Sequence, residues 1–192
     1  MLDELLQKFE IYTKKHYPEM PLFRLKKEGI YFIENKLYRA LNLLNLKEIK
    51  ETLEQLLNKL KNHLQIDVSI SLDIYPIDDY EMCGKFENKE GKYTIFLNPN
   101  YLTASGLINV LCHEISHAYQ HIKGNEVYDA NNYAISELYT DFLMIKMGFF
   151  EYVIEGALHP SFNNKLDLLG YLPSEILVAI DKETFTANKH RI

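Results

Sequence analysis

The chain has 192 residues, of which 47% are hydrophobic and 25% are charged, and its formal net charge at pH 7 is −6. This composition is typical of a globular protein with one domain, or with one domain and a small helical appendage. An acidic chain lacks the basic surface that nucleic-acid binding requires, so we expect no nucleic-acid partner.

The cysteines and the hydropathy pattern indicate the compartment. Cys83 and Cys112 are too few for a disulfide framework, which favours a reducing environment. Residues 1–18 carry acids where a secretory signal needs basic residues, and no stretch approaches the ~20 apolar residues of a membrane span. We therefore expect a cytoplasmic protein with no membrane partner.

The first third of the chain is predicted to be helical. Apolar spacing indicates a helix over Leu2 to Tyr17, whereas Phe23 to Leu44 mixes periods and receives no assignment. Asn45-Leu46-Lys47-Glu48 fits a capping box, and a strong apolar stripe behind it predicts a helix from Leu46 to Leu64. His63, near the end of this helix, is expected on the surface. Residues 1–64 are thus interpreted as an N-terminal helical segment.

The hydrophobic period changes from 3.6 to 2 at Gln65. Alternation from Val68 to Ile74 predicts a half-buried strand. A possible short strand begins at Cys83, and a further strand over Lys92 to Asn98 follows a hairpin turn at Asn88 to Gly91. These strands open the second part of the chain, residues 65–192.

The stretch from Leu107 to Gly124 contains the H-E-x-x-H motif His113-Glu114-Ile115-Ser116-His117. In a helix, His113 and His117 lie one turn apart on one face, where both imidazoles can reach one Zn²⁺. Glu114 lies about 100° around the helix, where it can act as a general base on a zinc-bound water. The motif therefore predicts a catalytic zinc site.

The flanks of the motif favour an amphipathic helix. Thr103 or Ser105 can cap its start and Gly124 can end it. An apolar stripe on the face opposite the two histidines is expected to pack on the core; it consists of Ile108, Leu111, Cys112, Ile115, Tyr119 and Ile122.

A second helix is predicted from about Ala130 to Met147. Its core face is expected to consist of Ala134, Leu138, Phe142 and Ile145. Residues Phe149 to Gly170 read as irregular, and Pro173 precedes a last short helix. The order of elements predicts an α+β fold.

Two histidines do not complete a zinc site, and several carboxylates could supply the third ligand. Glu137 and Asp141 lie one turn apart on the second helix, so one could bind zinc while the other accepts the N–H of a liganding histidine. Glu126 and Asp129, on the preceding loop, are alternatives. His121 lies about 12 Å along the axis from His113, so those two cannot share one ion with His117.

H-E-x-x-H followed by Glu137-x-x-x-Asp141 resembles the gluzincin branch of zinc metallopeptidases, including the thermolysin-like and CAAX-endopeptidase-like catalytic cores. The likeness covers about Lys92 to Gly148. It implies His113, His117 and Glu137 as zinc ligands, Glu114 as the catalytic base and Asp141 as the partner that orients a liganding histidine. It also implies a minimal zincin-like core, with a small antiparallel or mixed sheet and two site-bearing helices.

The segment from Gly91 to His117 is also similar to SprT-like metalloproteases. Those enzymes use a third histidine, and no histidine in this chain is well placed for that role.

The functional prediction is a zinc-dependent metallopeptidase that acts on a peptide or protein substrate. The alternative is a catalytically silent zincin-fold module with a regulatory or binding role, against which the intact Glu114 argues. An extended substrate is expected to pair with the strand Tyr93 to Leu97, provided that this strand is the edge of the cleft. Candidates for stabilising the oxyanion are Tyr128, Tyr133, His159 and Tyr171.

Overall fold

The computed structural model describes residues 2–20, 24–25, 29–78, 82–124, 132–159 and 172–186. Within these ranges the chain forms seven helices and one three-stranded sheet. In chain order the elements are α1 (Leu2–His16), α2 (Ile30–Asn42), α3 (Leu46–Leu64), β1 (Ile70–Ile74), β2 (Gly84–Lys89), β3 (Lys92–Leu97), α4 (Ala104–Ile122), α5 (Tyr133–Lys146), α6 (Phe150–Leu158) and α7 (Ser174–Thr186). The predicted α+β class is confirmed, with a mostly helical mixture.

The sheet is mixed, and β3 is its central strand. The spatial order is β1-β3-β2, with β1 parallel and β2 antiparallel to β3. The strand from Tyr93 to Leu97 is therefore not a free edge, and the condition set for substrate pairing with it is not met. Among the described residues no strand pairs with the other side of β2, so β2 is an edge strand.

One face of the sheet packs on the helices. Ile70 and Leu72 of β1 and Ile95 and Leu97 of β3 are buried, and they alternate along the strands with more exposed residues such as Ser71. Side chains of a strand point alternately to its two faces, so this pattern marks one covered and one solvated face. The period-2 prediction for β1 is confirmed over Ile70–Ile74.

Helix α4 lies at the centre of the molecule. It contacts α2, α3, α5, α6, β2 and β3. Thr103 caps its start, because the Thr103 side chain accepts a hydrogen bond from the N–H of Gly106 at 3.0 Å. The predicted apolar stripe is buried, except for the partly buried Ile122. The motif helix is thus fixed on several sides by the core.

Two helices were not predicted. Helix α2 begins at Ile30, and the residue before it, Gly29, has φ +84° and makes no capping side-chain hydrogen bond. Its aromatic residues Tyr31 and Phe32 are exposed, so the apolar residues of the sequence do not follow the helical period of the buried ones. Helix α6 lies in a segment expected to be irregular; Gly156 lets it pack closely on α4, since a Cβ there would lie 2.3 Å from the Ser105 carbonyl oxygen.

Two residues differ from their predicted environment. His63, expected on the surface, is buried, and its Nε2 lies 2.7 Å from the carbonyl oxygen of Met147. Ala134, expected in the core, is exposed at the start of α5. Each depends on how α3 and α5 dock, which the periodicity of a single helix does not fix.

The N-terminal helix α1 packs on α5. The hydroxyls of Thr13 and Tyr139 are 3.0 Å apart, and Nζ of Lys146 lies 2.5 Å from Oε2 of Glu10. Phe9 also packs edge-on against the ring of Tyr139. Helix α1 therefore supports the helix that carries Glu137 and Asp141. The division at residue 64 stays a prediction.

None of the helices in the described ranges is both long and apolar enough to cross a membrane.

Candidate metal centre

Three side chains from α4 and α5 converge on one point. Nε2 of His113 lies 3.0 Å from Nε2 of His117 and 3.0 Å from Oε2 of Glu137, and His117 Nε2 lies 3.3 Å from that oxygen. Ligands about 2.0 Å from a tetrahedral zinc ion are separated by about 3.3 Å. The two nitrogens and one oxygen thus match the spacing of a metal site, and these residues could hold a metal ion.

Asp141 lies behind His113. Its Oδ1 is 2.9 Å from Nδ1 of His113, and its Oδ2 accepts a hydrogen bond from the N–H of Leu172 at 2.9 Å. Because a carboxylate only accepts hydrogen bonds, Nδ1 of His113 must carry the proton in this contact. Nε2 is then the ring nitrogen that faces the point of convergence, where its lone pair can bind a cation once its proton is displaced.

His117 has a different partner. Its Nδ1 lies 3.5 Å from the hydroxyl oxygen of Thr140, which donates its own proton to the carbonyl of Ser136 at 3.1 Å. Gln120 donates its amide N–H to the same hydroxyl at 3.0 Å. The Thr140 oxygen is thereby left to accept from Nδ1 of His117. In both imidazoles Nε2 is therefore the nitrogen that can bind a cation, in place of the proton that it shares with Glu137.

The ionisation of the cluster reflects this convergence. Burial disfavours the charged form of Glu137, but its hydrogen bonds to His113 and His117 outweigh burial and lower its pKa to about 2. Burial likewise opposes protonation of His113, yet its hydrogen bonds to Asp141 and Glu137 raise the pKa of this imidazole well above 6.5. The carboxylates thus create a strong local preference for positive charge, which a cation would satisfy.

Glu114 lies beside the three converging groups and is not among them. It is only 7% exposed, and burial raises the pKa of its carboxyl, against the opposing effect of the nearby histidines. The backbone N–H of Phe86, on the edge strand β2, faces this carboxylate and acts to lower its pKa. Glu114 is therefore oriented by the sheet as well as by its own helix.

Strand β2 approaches α4 closely because residue 84 is glycine. A Cβ at Gly84 would lie 2.4 Å from Cγ1 of Val110 and 2.9 Å from Oε1 of Glu114. Only a residue without a side chain allows this backbone approach. The signal was present in the sequence, as a glycine inside a predicted strand, but nothing local showed which helix it faced.

A cavity of about 320 Å³ opens beside the cluster. It is lined by residues of β2, α4 and α5, namely Gly84, Lys85, Phe86, Glu114, His117, Gln120, Tyr133, Ser136 and Glu137. The convergence point thus has an accessible side that faces the edge strand.

The remaining candidates lie elsewhere or outside the described residues. Nε2 of His121 is 2.6 Å from the amide nitrogen of Asn88, so this side chain faces the β2–β3 hairpin. His159 is exposed, and its carbonyl accepts a hydrogen bond from the Thr103 hydroxyl; it does not line the cavity. Tyr133 lines it. Four predicted candidates lie outside the described residues: Glu126, Tyr128, Asp129 and Tyr171.

Comparisons with known proteins found no match: no family model matches the sequence, and neither a curated protein nor a solved structure is significantly similar to it. The case for a function therefore rests on the geometry of the cluster and on the residues of the motif.

Proposed function

We propose that this protein is a zinc-dependent metallopeptidase of the gluzincin type. The observation that supports the proposal best is the convergence of His113 Nε2, His117 Nε2 and Glu137 Oε2, with Glu114 held beside them. Each imidazole is oriented through its Nδ1, which is the arrangement typical of metal-liganding histidines. A purely structural cluster has no use for the additional carboxylate of Glu114.

The donor set favours zinc. Two imidazole nitrogens and one carboxylate oxygen are the protein ligands of many catalytic zinc sites, in which a fourth position is left open. Zinc bound there would supply Lewis-acid chemistry, by polarising a peptide carbonyl and increasing the acidity of water. The ligands would be His113, His117 and Glu137, and Asp141 and Thr140 would orient the two histidines.

In this proposal Glu114 is the general base and then the general acid. Its carboxylate accepts a proton from the attacking water and delivers it to the amine that leaves. The Phe86 N–H faces the carboxylate and favours its charged form, so the base is oriented before the reaction. Tyr133, which lines the cavity, is the described candidate for a hydrogen-bond donor to the oxyanion.

The substrate is proposed to lie along β2, in place of the strand expected from the sequence. Gly84, Phe86 and Asn88 alternate with residues hydrogen-bonded to β3, and the Phe86 N–H points away from that ladder towards Glu114. Apart from the Phe86 N–H, which faces Glu114, the backbone groups on this outer edge are available for pairing with an extended peptide. The edge borders the cavity that contains Glu114 and His117.

The test combines metal analysis with a peptide-library assay on the parent and on Glu114→Gln. The parent is expected to contain about one zinc per chain and to cleave library peptides. The variant keeps the ligands, so it should retain zinc but lose at least ~10²–10⁴-fold in hydrolysis. A zinc-loaded parent without hydrolysis, and a biological effect that survives Glu114→Gln, would instead favour the silent regulatory module.

A further inference from the structure

The cavity continues past the metal cluster on the side of His117. There it is bounded by Gln120, one turn further along α4, and by Ser136 and Tyr133 at the start of α5. Phe86 of β2 lines its other side. A side chain of a peptide lying on β2 could enter this part of the cavity while its backbone passes the cluster.

Gln120 is almost fully buried, with 3% exposure, and the orientation of its amide is determined by its partners. Nε2 donates to the carbonyl oxygen of Ser116 at 3.4 Å and to the hydroxyl of Thr140 at 3.0 Å. Because the Ser116 carbonyl can only accept, the nitrogen must face it. Oε1 is then the polar atom that remains for the cavity, and it has no partner among the residues that the structure describes.

Ser136 supplies a second polar group. Its side chain is 8% exposed and lines the same cavity. Its carbonyl accepts from Thr140, while its hydroxyl has no partner within the described part of the chain. Both groups line the cavity, so a ligand or water that enters it can complete their hydrogen bonds.

We propose that Gln120 and Ser136 form a subsite for a carboxamide side chain, that of asparagine or glutamine, beside the scissile bond of the substrate. The inference rests on the proposed peptidase function. The amide N–H of the substrate side chain would donate to Oε1 of Gln120, and its carbonyl would accept from the Ser136 hydroxyl. Phe86 would cover the apolar part of that side chain.

The chemistry of the wall argues against other side chains. A carboxylate would face the Gln120 oxygen close to Glu114 and Glu137, and the Lys85 ammonium on the cavity wall is already paired with Glu87. An ammonium group would lose its hydration, and the nearest carboxylates are already engaged in the cluster. An aliphatic side chain would leave Oε1 and the hydroxyl unsatisfied, which costs affinity.

The probes for this subsite are two simple metal-binding compounds that differ only in one side chain. N-acetyl-asparagine hydroxamate and N-acetyl-leucine hydroxamate have side chains of nearly the same size, and their hydroxamates anchor both to the metal. Their Kd values for the zinc-loaded protein are measured by calorimetry. We expect the asparagine compound to bind at least ~10-fold more tightly, as is typical when buried polar groups would otherwise be left unpaired.

Two variants assign the preference to these residues. Gln120→Met and Ser136→Ala should each reduce the asparagine-over-leucine ratio to below about threefold while zinc content stays that of the parent. Ser136→Ala leaves the Gln120–Thr140 contact in place, which separates recognition from any effect on His117. Lys89→Ala, at the exposed end of β2, is the control and should leave the ratio unchanged.

The outcomes distinguish this inference from the proposed function. Equal binding of both compounds, or preference for leucine, would overturn the carboxamide subsite alone and assign the two polar groups to water. A parent that binds no zinc would overturn the peptidase proposal and the subsite with it. A ratio that persists in both variants would also overturn the assignment, since the preference would then arise elsewhere.

Discussion

The backbone N–H of Phe86, on the edge strand β2, faces the carboxylate of Glu114, on helix α4, and favours its charged form by lowering its pKa. The proposed general base is therefore held by a strand that is distant from it in sequence. The contact requires β2 to approach α4 at Gly84, where a Cβ would lie 2.4 Å from Val110. Sheet and motif helix thus form one unit at the site.

Gly84→Ala tests this dependence. The added methyl group would clash with Val110 and with the Glu114 carboxylate, so β2 should move away from α4. We expect a loss of about 1–3 kcal/mol in the free energy of unfolding. Hydrolysis should fall, while zinc content should persist because no ligand lies on β2. Lys89→Ala, on the same strand, is the control and should change neither the free energy of unfolding nor hydrolysis. Full activity in Gly84→Ala would contradict the role given to the Phe86–Glu114 contact.

Replacement of the third ligand distinguishes the carboxylates that the sequence left open. Glu137→Ala removes the oxygen that lies 3.0 Å and 3.3 Å from the two imidazole nitrogens, so zinc affinity should fall steeply. Asp129→Ala and Glu126→Ala should retain parental zinc affinity in a chelator-competition assay. If Asp129→Ala loses zinc and Glu137→Ala keeps it, the loop residue is the ligand.

Asp141→Asn addresses the orientation of His113. The carboxamide can still accept the hydrogen bond from the Leu172 N–H. It has no negative charge, so it stabilises the proton on Nδ1 of His113 less strongly. Zinc affinity should decrease by about 10–100-fold, measured by titration calorimetry.

The matched control for Asp141 is Asp181→Asn. Asp181 is also a buried carboxylate, and it pairs with Arg24 at 2.5 and 3.0 Å. The Asp181→Asn variant should lower the free energy of unfolding and leave zinc affinity unchanged. Equal effects of the two variants on zinc affinity would mean that Asp141 acts only through stability.

From the burial of His63 we expect the free energy of unfolding to depend on pH. This residue is not part of the metal cluster. Burial lowers the pKa of His63 below 6.5, and the hydrogen bond to Met147 offsets this only in part. The unfolded chain therefore takes up this proton more readily than the folded one. The contribution of His63 to the free energy of unfolding is fully present above about pH 6.5 and is lost as the pH falls below that value.

His63→Gln removes this titration while keeping a donor for Met147. Between pH 7 and pH 5 the free energy of unfolding of the parent should fall more steeply than that of the variant, as followed by urea denaturation at each pH. The difference between the two curves isolates His63 from the other histidines. Parallel curves would show that burial does not shift this group.

The fold could be predicted where the information was local. Helix α3 begins and ends at the predicted residues because the Asn45 cap and its apolar stripe lie within one segment. The same holds for the Thr103 cap and buried stripe of α4. Helices α2 and α6 have no such signals, since their stability comes from packing against other elements.

The sequence by itself determined that His113 and His117 share one helix face and that Glu114 stands beside them, because four-residue spacing fixes these directions. Only the tertiary structure decided that Glu137 meets both imidazoles, that Asp141 and Thr140 orient them, and that β2 is an open edge while β3 is central. The side-chain contacts among them join residues twenty or more positions apart. They depend on how α5 and the sheet dock on α4, and the period of a single element carries no information about that docking.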